Sequence, residues 1–260
     1  MAIEREPTGI PGFDELIEGG FPRYSIVLVS GSPGTGKSLF SQHFVYTGAT
    51  KFEQKALYVS FEQRIPEIYE QAKRFGMDFD LLEKQGKVRF VFYDISNRVL
   101  GEGETYVELI KREAREFNAK RIVIDSLVPL ANFPVSVDEL ASYGFINEID
   151  KLMPIGISEE LLVRMQVHKL MSTLKDLRAT SIVVSEIPKE SNWLSRDRVS
   201  EFMADGVIVL HYLGIGTTSN RSLVIEKMRG TKHAEDVIPM EIGKNGIEVK
   251  NPRDEFKVPK

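Results

Sequence analysis

The sequence predicts an α/β fold, with a mostly parallel central sheet, helices on both faces and an antiparallel extension at the C-terminal end. Three observations predict it. Short runs rich in β-branched residues alternate with stretches at helical spacing, the pattern of parallel strands joined by crossover helices. One such run feeds directly into a glycine-rich loop and then a helix. Beyond Asp205, strand-like segments follow one another without intervening helices.

The chain has 260 residues, 42% hydrophobic and 28% charged, enough to bury one sizeable core. No internal repeat, low-complexity segment or linker divides it, so residues 1–260 are read as one domain. A net charge of −4 and a pI near 5.7 give no global attraction to nucleic acid or anionic membranes. The absence of cysteine excludes disulfides, thiolate catalysis and Cys-ligated zinc. No apolar run approaches transmembrane length and the N-terminus carries no signal-peptide core. The expectation is a cytoplasmic protein without membrane contact.

Taken in order, Thr8 to Ile17 reads as a turn and then a short helix capped near Gly12 or Phe13. Gly19-Gly20-Phe21-Pro22 ends that helix. Ile26-Val27-Leu28-Val29 is continuously apolar, as a buried parallel strand is. Leu39, Phe40, Phe44 and Val45 then fall at helical spacing. Ala56 to Ser60 is a second strand, closing on Phe61-Glu62-Gln63. Ile65 to Phe75 is helical, with Ile65, Ile68, Ala72 and Phe75 on one face. Val88 to Tyr93 is a third strand, Thr105 to Phe117 an amphipathic helix, and Arg121 to Asp125 a fourth strand ending in an acid. Ser136 to Met153 and Ser158 to Arg178 are read as helices, the second opened by Ser158 as N-cap with Glu159 and Glu160 in its first turn. Ser181 to Ser185 is a fifth strand, followed by a polar stretch from Pro188 to Ser200. Val207 to Tyr212, Arg221 to Met228, Val237 to Ile242 and Ile247 to Lys250 close the chain, with a hairpin at Lys244-Asn245-Gly246.

The chemistry concentrates between strand and helix. Gly31-Ser32-Pro33-Gly34-Thr35-Gly36-Lys37-Ser38 fits G-x-x-x-x-G-K-[ST] without a mismatch, in the strand–loop–helix context the motif requires. Gly31, Gly34 and Gly36 let the main chain approach a phosphate. The loop amides then form an anion nest at the positive end of the helix that follows, and Gly31 to Leu39 are read as the nucleotide-binding stretch. Lys37 reaches the β- and γ-phosphates and the Ser38 hydroxyl ligates Mg²⁺. Ligands of open α/β sheets bind beyond the carboxyl ends of the strands. Asp125 sits at such an end and is read as the second holder of the metal, through water. Glu62, at the end of the second strand, is read as the carboxylate that orients a water for in-line attack, with Glu186 the weaker candidate. Lys227 and Arg229 lie two apart on a strand and so share a face. His43, His168 and His211 show no metal-ligand spacing.

These segments resemble a KaiC-like ATPase domain of the RecA superfamily, of the single-domain type. The similarity runs from Thr8-Gly9-Ile10-Pro11-Gly12-Phe13-Asp14 through the phosphate loop, Leu57-Tyr58-Val59-Ser60-Phe61-Glu62, Val123-Ile124-Asp125-Ser126-Leu127, Val184-Ser185-Glu186 and Asp205-Gly206-Val207-Ile208 to Lys227-Met228-Arg229-Gly230-Thr231-Lys232-His233 and Gly246-Ile247-Glu248-Val249. The resemblance implies a RecA-like P-loop NTPase fold, binding of ATP or ADP with Mg²⁺, and slow hydrolysis. It also implies a homo-oligomeric ring, usually hexameric, with nucleotide between subunits. In such rings the Lys-x-Arg pair acts on a neighbour's nucleotide, so Lys227 and Arg229 are expected to act in trans, with Thr231 and His233 helping to hold the nucleotide. A strand carrying such a pair is expected near the far edge of the sheet. The family often has two adjacent glutamates where this chain has Glu62-Gln63, and only the first acid is kept. Autokinase relatives carry a Ser-Thr pair where this chain has Glu201-Phe202, which removes that phosphorylation site.

Three function classes follow: a regulatory ring ATPase acting on an unknown protein partner, a nucleic-acid-binding recombinase-like motor, and a nucleotide-gated signalling ring that barely hydrolyses. Lys189, Trp193, Arg196 and Arg198 offer cations with a stackable aromatic, the composition of a single-strand platform. Glu190, Asp197 and Glu201 dilute that charge, and little chain precedes the first central strand, so the nucleic-acid class is not favoured.

Overall fold

The computed structural model describes residues 3–94, 105–127, 159–187, 191–212 and 221–250. The helix expected over Ser136 to Met153, the Ser158 cap and Lys189 lie outside them.

A two-stranded ladder opens the fold. β1 (Arg5–Glu6) pairs antiparallel with β2 (Phe21–Pro22), on either side of a 3₁₀ turn at Asp14–Ile17. Strands this short span too few residues to show a period. The lead-in is held by one carboxylate: Asp14 accepts the Thr8 amide at 2.8 Å, the Thr8 hydroxyl at 2.7 Å and the Gly9 amide at 3.0 Å.

The main elements then follow as β3 (Ile26–Gly31), α1 (Lys37–Lys51), β4 (Ala56–Ser60), α2 (Ile65–Lys73), α3 (Phe79–Lys84), β5 (Val88–Phe92), α4 (Tyr106–Phe117) and β6 (Arg121–Asp125). After them come α5 (Glu159–Asp176), β7 (Thr180–Glu186), α6 (Ser200–Met203), β8 (Gly206–His211), β9 (Arg221–Met228), β10 (Ile238–Gly243) and β11 (Gly246–Val249). The short helices α3 and α6 were not apparent in the sequence. α4 is capped as its sequence asks, with the Thr105 side chain accepting from the Glu108 amide and Asn118 closing the far end in the left-handed region.

The strands form a nine-stranded sheet in the order β11-β10-β9-β8-β3-β7-β6-β4-β5. β8, β3, β7, β6, β4 and β5 are parallel, whereas β9, β10 and β11 extend the sheet antiparallel. Successive strand residues feed opposite cores. Val27, Val29, Tyr58 and Val123 pack with Phe40 and Phe44 of α1 on one face. Ile26, Leu28, Leu57, Ile122 and Ile124 pack with Leu109 of α4 and Leu170 of α5 on the other. β9 lies near one edge, third from it, with the β10–β11 hairpin adding two strands outside it.

One buried cation ties the layers together. Arg121 is fully buried at the start of β6, where it donates to Gln54 at 2.7 Å, to the Pro7 carbonyl at 2.8 Å and to the Phe44 carbonyl at 2.7 Å. Burial holds its pKa down to about 10, and the Glu6 carboxylate 3.4 Å away works against that.

Candidate functional site: a phosphate loop and its acidic wall

The loop between β3 and α1 takes the shape its glycines permit. Gly34 and Gly36 have φ of 79° and 109°, a region that L side chains rarely adopt. A Cβ on Gly34 would also sit 2.7 Å from the Tyr212 hydroxyl. Gly36 caps α1, so the free amides of the helix's first turn face the loop. The Lys37 ammonium is buried and donates to the carbonyls of Gly31 at 2.9 Å and Ser32 at 3.0 Å. Desolvation lowers its pKa, while Glu186, Asp125 and Glu62 oppose that shift. Three carboxylates from three strand ends therefore act on one ammonium.

Asp125 ends β6 in register with Ser60 of β4. It accepts the Tyr58 hydroxyl at 2.5 Å and also bonds the Ser38 hydroxyl. Burial raises its pKa, the Tyr58 and Ser38 hydroxyls and Lys37 pull it down, and Glu62 pushes it up. Ser38 and Asp125 are hard oxygen donors in contact, which suits Mg²⁺. Among the described residues no group of three or more His, Cys, Asp or Glu could hold a metal by itself.

The exposed Glu62 follows β4 on a fixed turn. Ser60 donates its hydroxyl to the Gln63 carbonyl at 2.7 Å and accepts the Gln63 amide at 3.1 Å. The Ser126 hydroxyl, next to Asp125, donates to the Glu62 carboxylate. Glu186 stands 3.8 Å from Arg196. The structure thus gathers Lys37, Ser38, Asp125, Glu62 and Glu186 at the carboxyl end of the parallel strands.

On the loop's other flank are two residues that sequence reasoning missed. Tyr212 donates its hydroxyl to the Gly34 carbonyl at 2.9 Å, and Arg221 reaches the same carbonyl at 3.4 Å. The Arg221 guanidinium lies 4.9 Å from the Tyr212 ring centroid. Only the pairing of β8 with β9, which sets His211 opposite Ser222, brings them together.

Lys227, Arg229, Thr231 and His233 are not at this site. The register pairs Val27 with Gly206 and Gly206 with Met228, so the pair sits at the amino end of β3. The phosphate loop leaves the opposite end after Gly31, about 13 Å away along the strand. Lys227 donates to the carbonyls of Glu201, Phe202 and Ala204 at 3.3, 3.2 and 2.6 Å. Burial, and then the neighbouring Arg229 charge, lower its pKa. Arg229 is 54% exposed, bonding Asp205 at 3.1 Å and the Phe202 carbonyl at 3.4 Å. The Thr231 hydroxyl accepts from Arg5, and His233 Nδ1 lies 2.9 Å from the Ala234 carbonyl. Of the Glu201-Phe202 pair, Glu201 is buried against the Ser195 hydroxyl and Phe202 is 62% exposed.

Comparison with known proteins follows the same outline. The family described as "ATPase: KaiC" matches residues 6–139 and 146–254. A UPF0273 protein of Thermotoga maritima is 34% identical over 259 residues, covering 94% of this chain and 95% of that protein. The circadian clock oscillator protein KaiC of Synechococcus elongatus is 31% identical over 256 residues, but this chain spans only 44% of it. The crystal structure of a KaiC-like protein from the hyperthermophilic archaeon Pyrococcus horikoshii OT3 superposes with a TM-score of 0.75 at 34% identity, covering 96% of this chain and all of that one. A phosphate loop with acids on one flank of a RecA-like sheet, and matches running nearly end to end, make this chain a member of the KaiC ATPase family.

Proposed function

We propose that the chain is a Mg²⁺-dependent ATPase working as a closed homo-oligomeric ring, with ATP held between one copy's phosphate loop and the next copy's Lys227 and Arg229. One observation carries this reading: the loop and the Lys227–Arg229 pair occupy opposite ends of β3. A head-to-tail contact between copies brings such opposite ends together, and rotation closes the chain of contacts into a ring.

Each residue then has a task. The loop amides and Lys37 bind the phosphates. Ser38 and Asp125 would hold the metal, which would supply positive charge to the bound phosphates. Glu62, aimed by Ser126, orients the attacking water. Arg229 supplies positive charge where the γ-phosphate develops negative charge, and Lys227 supports it. Thr231 and His233 border the same neighbouring nucleotide. Without the Ser-Thr pair of autokinase relatives, the output is a change of ring state on ATP turnover, read by a protein partner.

The decisive test is dilution. Turnover per subunit should fall as protein concentration drops through the range where sizing shows the ring dissociating. Undiminished turnover by a demonstrated monomer overturns the reading.

A further inference from the structure

The turn that follows Arg229 is held by a residue from the other end of the chain. The Arg5 guanidinium donates to the Thr231 hydroxyl at 2.5 Å and to the Gly230 carbonyl at 3.4 Å. The Nη2 group that reaches the Gly230 carbonyl also pairs with Glu18 at 2.5 Å. The Thr231 hydroxyl in turn lies 3.4 Å from the Arg229 carbonyl. Arg5 is therefore seated on Arg229-Gly230-Thr231, with its charge satisfied by Glu18 and its side chain only 15% exposed. A neutralised, largely covered cation is poorly placed to be a phosphate ligand. A planar fork spanning two acceptors is well suited to fix a backbone turn.

Arg5 is itself anchored. The next residues, Glu6 and Pro7, are gripped by buried Arg121, and Gln54 donates to Glu6 at 2.7 Å. A second tie runs from the Ala234 amide to the Leu16 carbonyl at 3.2 Å. The lead-in thus forms a rigid seat for the loop between β9 and β10, and Arg229 is the first residue of that loop. On its other side Arg229 is tied through its own amide to the Asp205 carbonyl at 2.8 Å.

We infer that Arg5 is a positioning residue for Arg229, setting the Gly230–Thr231 turn so that the exposed guanidinium is aimed before a neighbouring subunit arrives. This rests on the ring reading above. Its value lies in pre-organisation, since misplacing a charge-stabilising group by about 1 Å can cost on the order of a hundredfold in rate.

The test is complementation between variants whose subunits exchange. Arg5→Ala, Arg229→Ala and Lys37→Ala are assayed for ATP hydrolysis alone and in pairwise mixtures, with ATP affinity measured in parallel. Arg5→Ala should lose roughly ten- to a hundredfold in kcat with unchanged ATP affinity. Lys37→Ala subunits should rescue it, because they bring an intact Arg229, and Arg229→Ala subunits should not. Normal turnover by Arg5→Ala overturns the inference. So does a loss that Lys37→Ala fails to rescue in conditions where it rescues Arg229→Ala, which would leave Arg5 a stabilising residue only. If subunits exchange and Lys37→Ala does not rescue Arg229→Ala either, the ring reading itself fails and takes this inference with it.

Discussion

The Tyr58 hydroxyl donates to the Asp125 carboxylate at 2.5 Å, joining two parallel strands beneath the phosphate loop. Tyr58 is 1% exposed and its own proton is held firmly, since burial and the Asp125 charge raise its pKa. It is therefore a permanent donor to the acid proposed to hold the metal. Tyr58→Phe should cost roughly 1–3 kcal/mol of stability, because a buried carboxylate loses a partner. Asp125 has a folded pKa raised above its ordinary 3.8, so its contribution to stability is greatest at low pH and declines as pH rises through the folded value. Metal binding requires the ionised form, so Mg²⁺ affinity should rise over that same interval. Removing the Tyr58 contact raises the Asp125 pKa further. Mg²⁺ titrations of nucleotide-loaded protein at several pH values should show the variant's binding displaced to higher pH. An unmoved profile would separate Tyr58 from the metal site.

Glu62→Gln should retain ATP binding and lose about a hundredfold or more in turnover. The amide keeps the bond from Ser126 but cannot accept a proton from the attacking water. Single-turnover hydrolysis measures this directly. Equal rates in the two proteins would move the role to Glu186, which acts on the same ammonium.

His43 gives a stability prediction free of catalysis. Its Nε2 accepts the Ile247 amide at 3.0 Å, tying α1 to the β10–β11 hairpin. Burial lowers its pKa from 6.5 to about 4. A depressed histidine leaves the unfolded chain binding more protons between those values, so stability is full above 6.5 and lost as pH falls toward 4. The size is at most about 3 kcal/mol. Denaturant unfolding across that window should show the loss, and a His43→Leu protein, weaker throughout, should show a flatter dependence. Equal slopes would assign the acid sensitivity elsewhere.

How much of this was legible in the sequence depends on how far each feature reaches. The central strands were legible because each is a local apolar run: Ile26 to Val29 reads the same alone or in the sheet. The loop and the acids at the ends of β4 and β6 were legible for a related reason, since a strand's carboxyl end is a local property once the strand is known. β1, β2 and α6 span too few residues to show a period. Tyr58 and Ser126 were hidden because a polar atom inside or just after a strand declares itself only when its neighbour is known. Tyr212, Arg221 and Arg5 depend on pairings between distant segments, up to 226 positions apart for Arg5 and Thr231.

The sharpest remaining prediction separates binding from chemistry by which end of β3 is altered. Lys37 is buried in the loop, so Lys37→Ala should abolish nucleotide binding while leaving unfolding nearly unchanged, because the ammonium's hydrogen bonds go to the Gly31 and Ser32 carbonyls rather than into the core. Arg229 lies at the opposite end and touches none of the loop, so Arg229→Ala should keep the affinity of the isolated subunit for nucleotide. Its hydrolysis should nevertheless fall by about a thousandfold, the lower range for a missing arginine finger. Arg229→Lys should recover little of it, since a point charge on a flexible stem does not reproduce a planar fork. The same guanidinium now pairs with Asp205 at 3.1 Å, so engaging a neighbour's γ-phosphate exchanges one anion for another rather than exposing a new charge. ATP should therefore tighten the assembly of the wild type and not of Arg229→Ala, a difference that sedimentation with and without nucleotide reads out. If Arg229→Ala weakens nucleotide binding by the isolated subunit as Lys37→Ala does, the two residues serve one site, and the separation along β3 has no functional meaning.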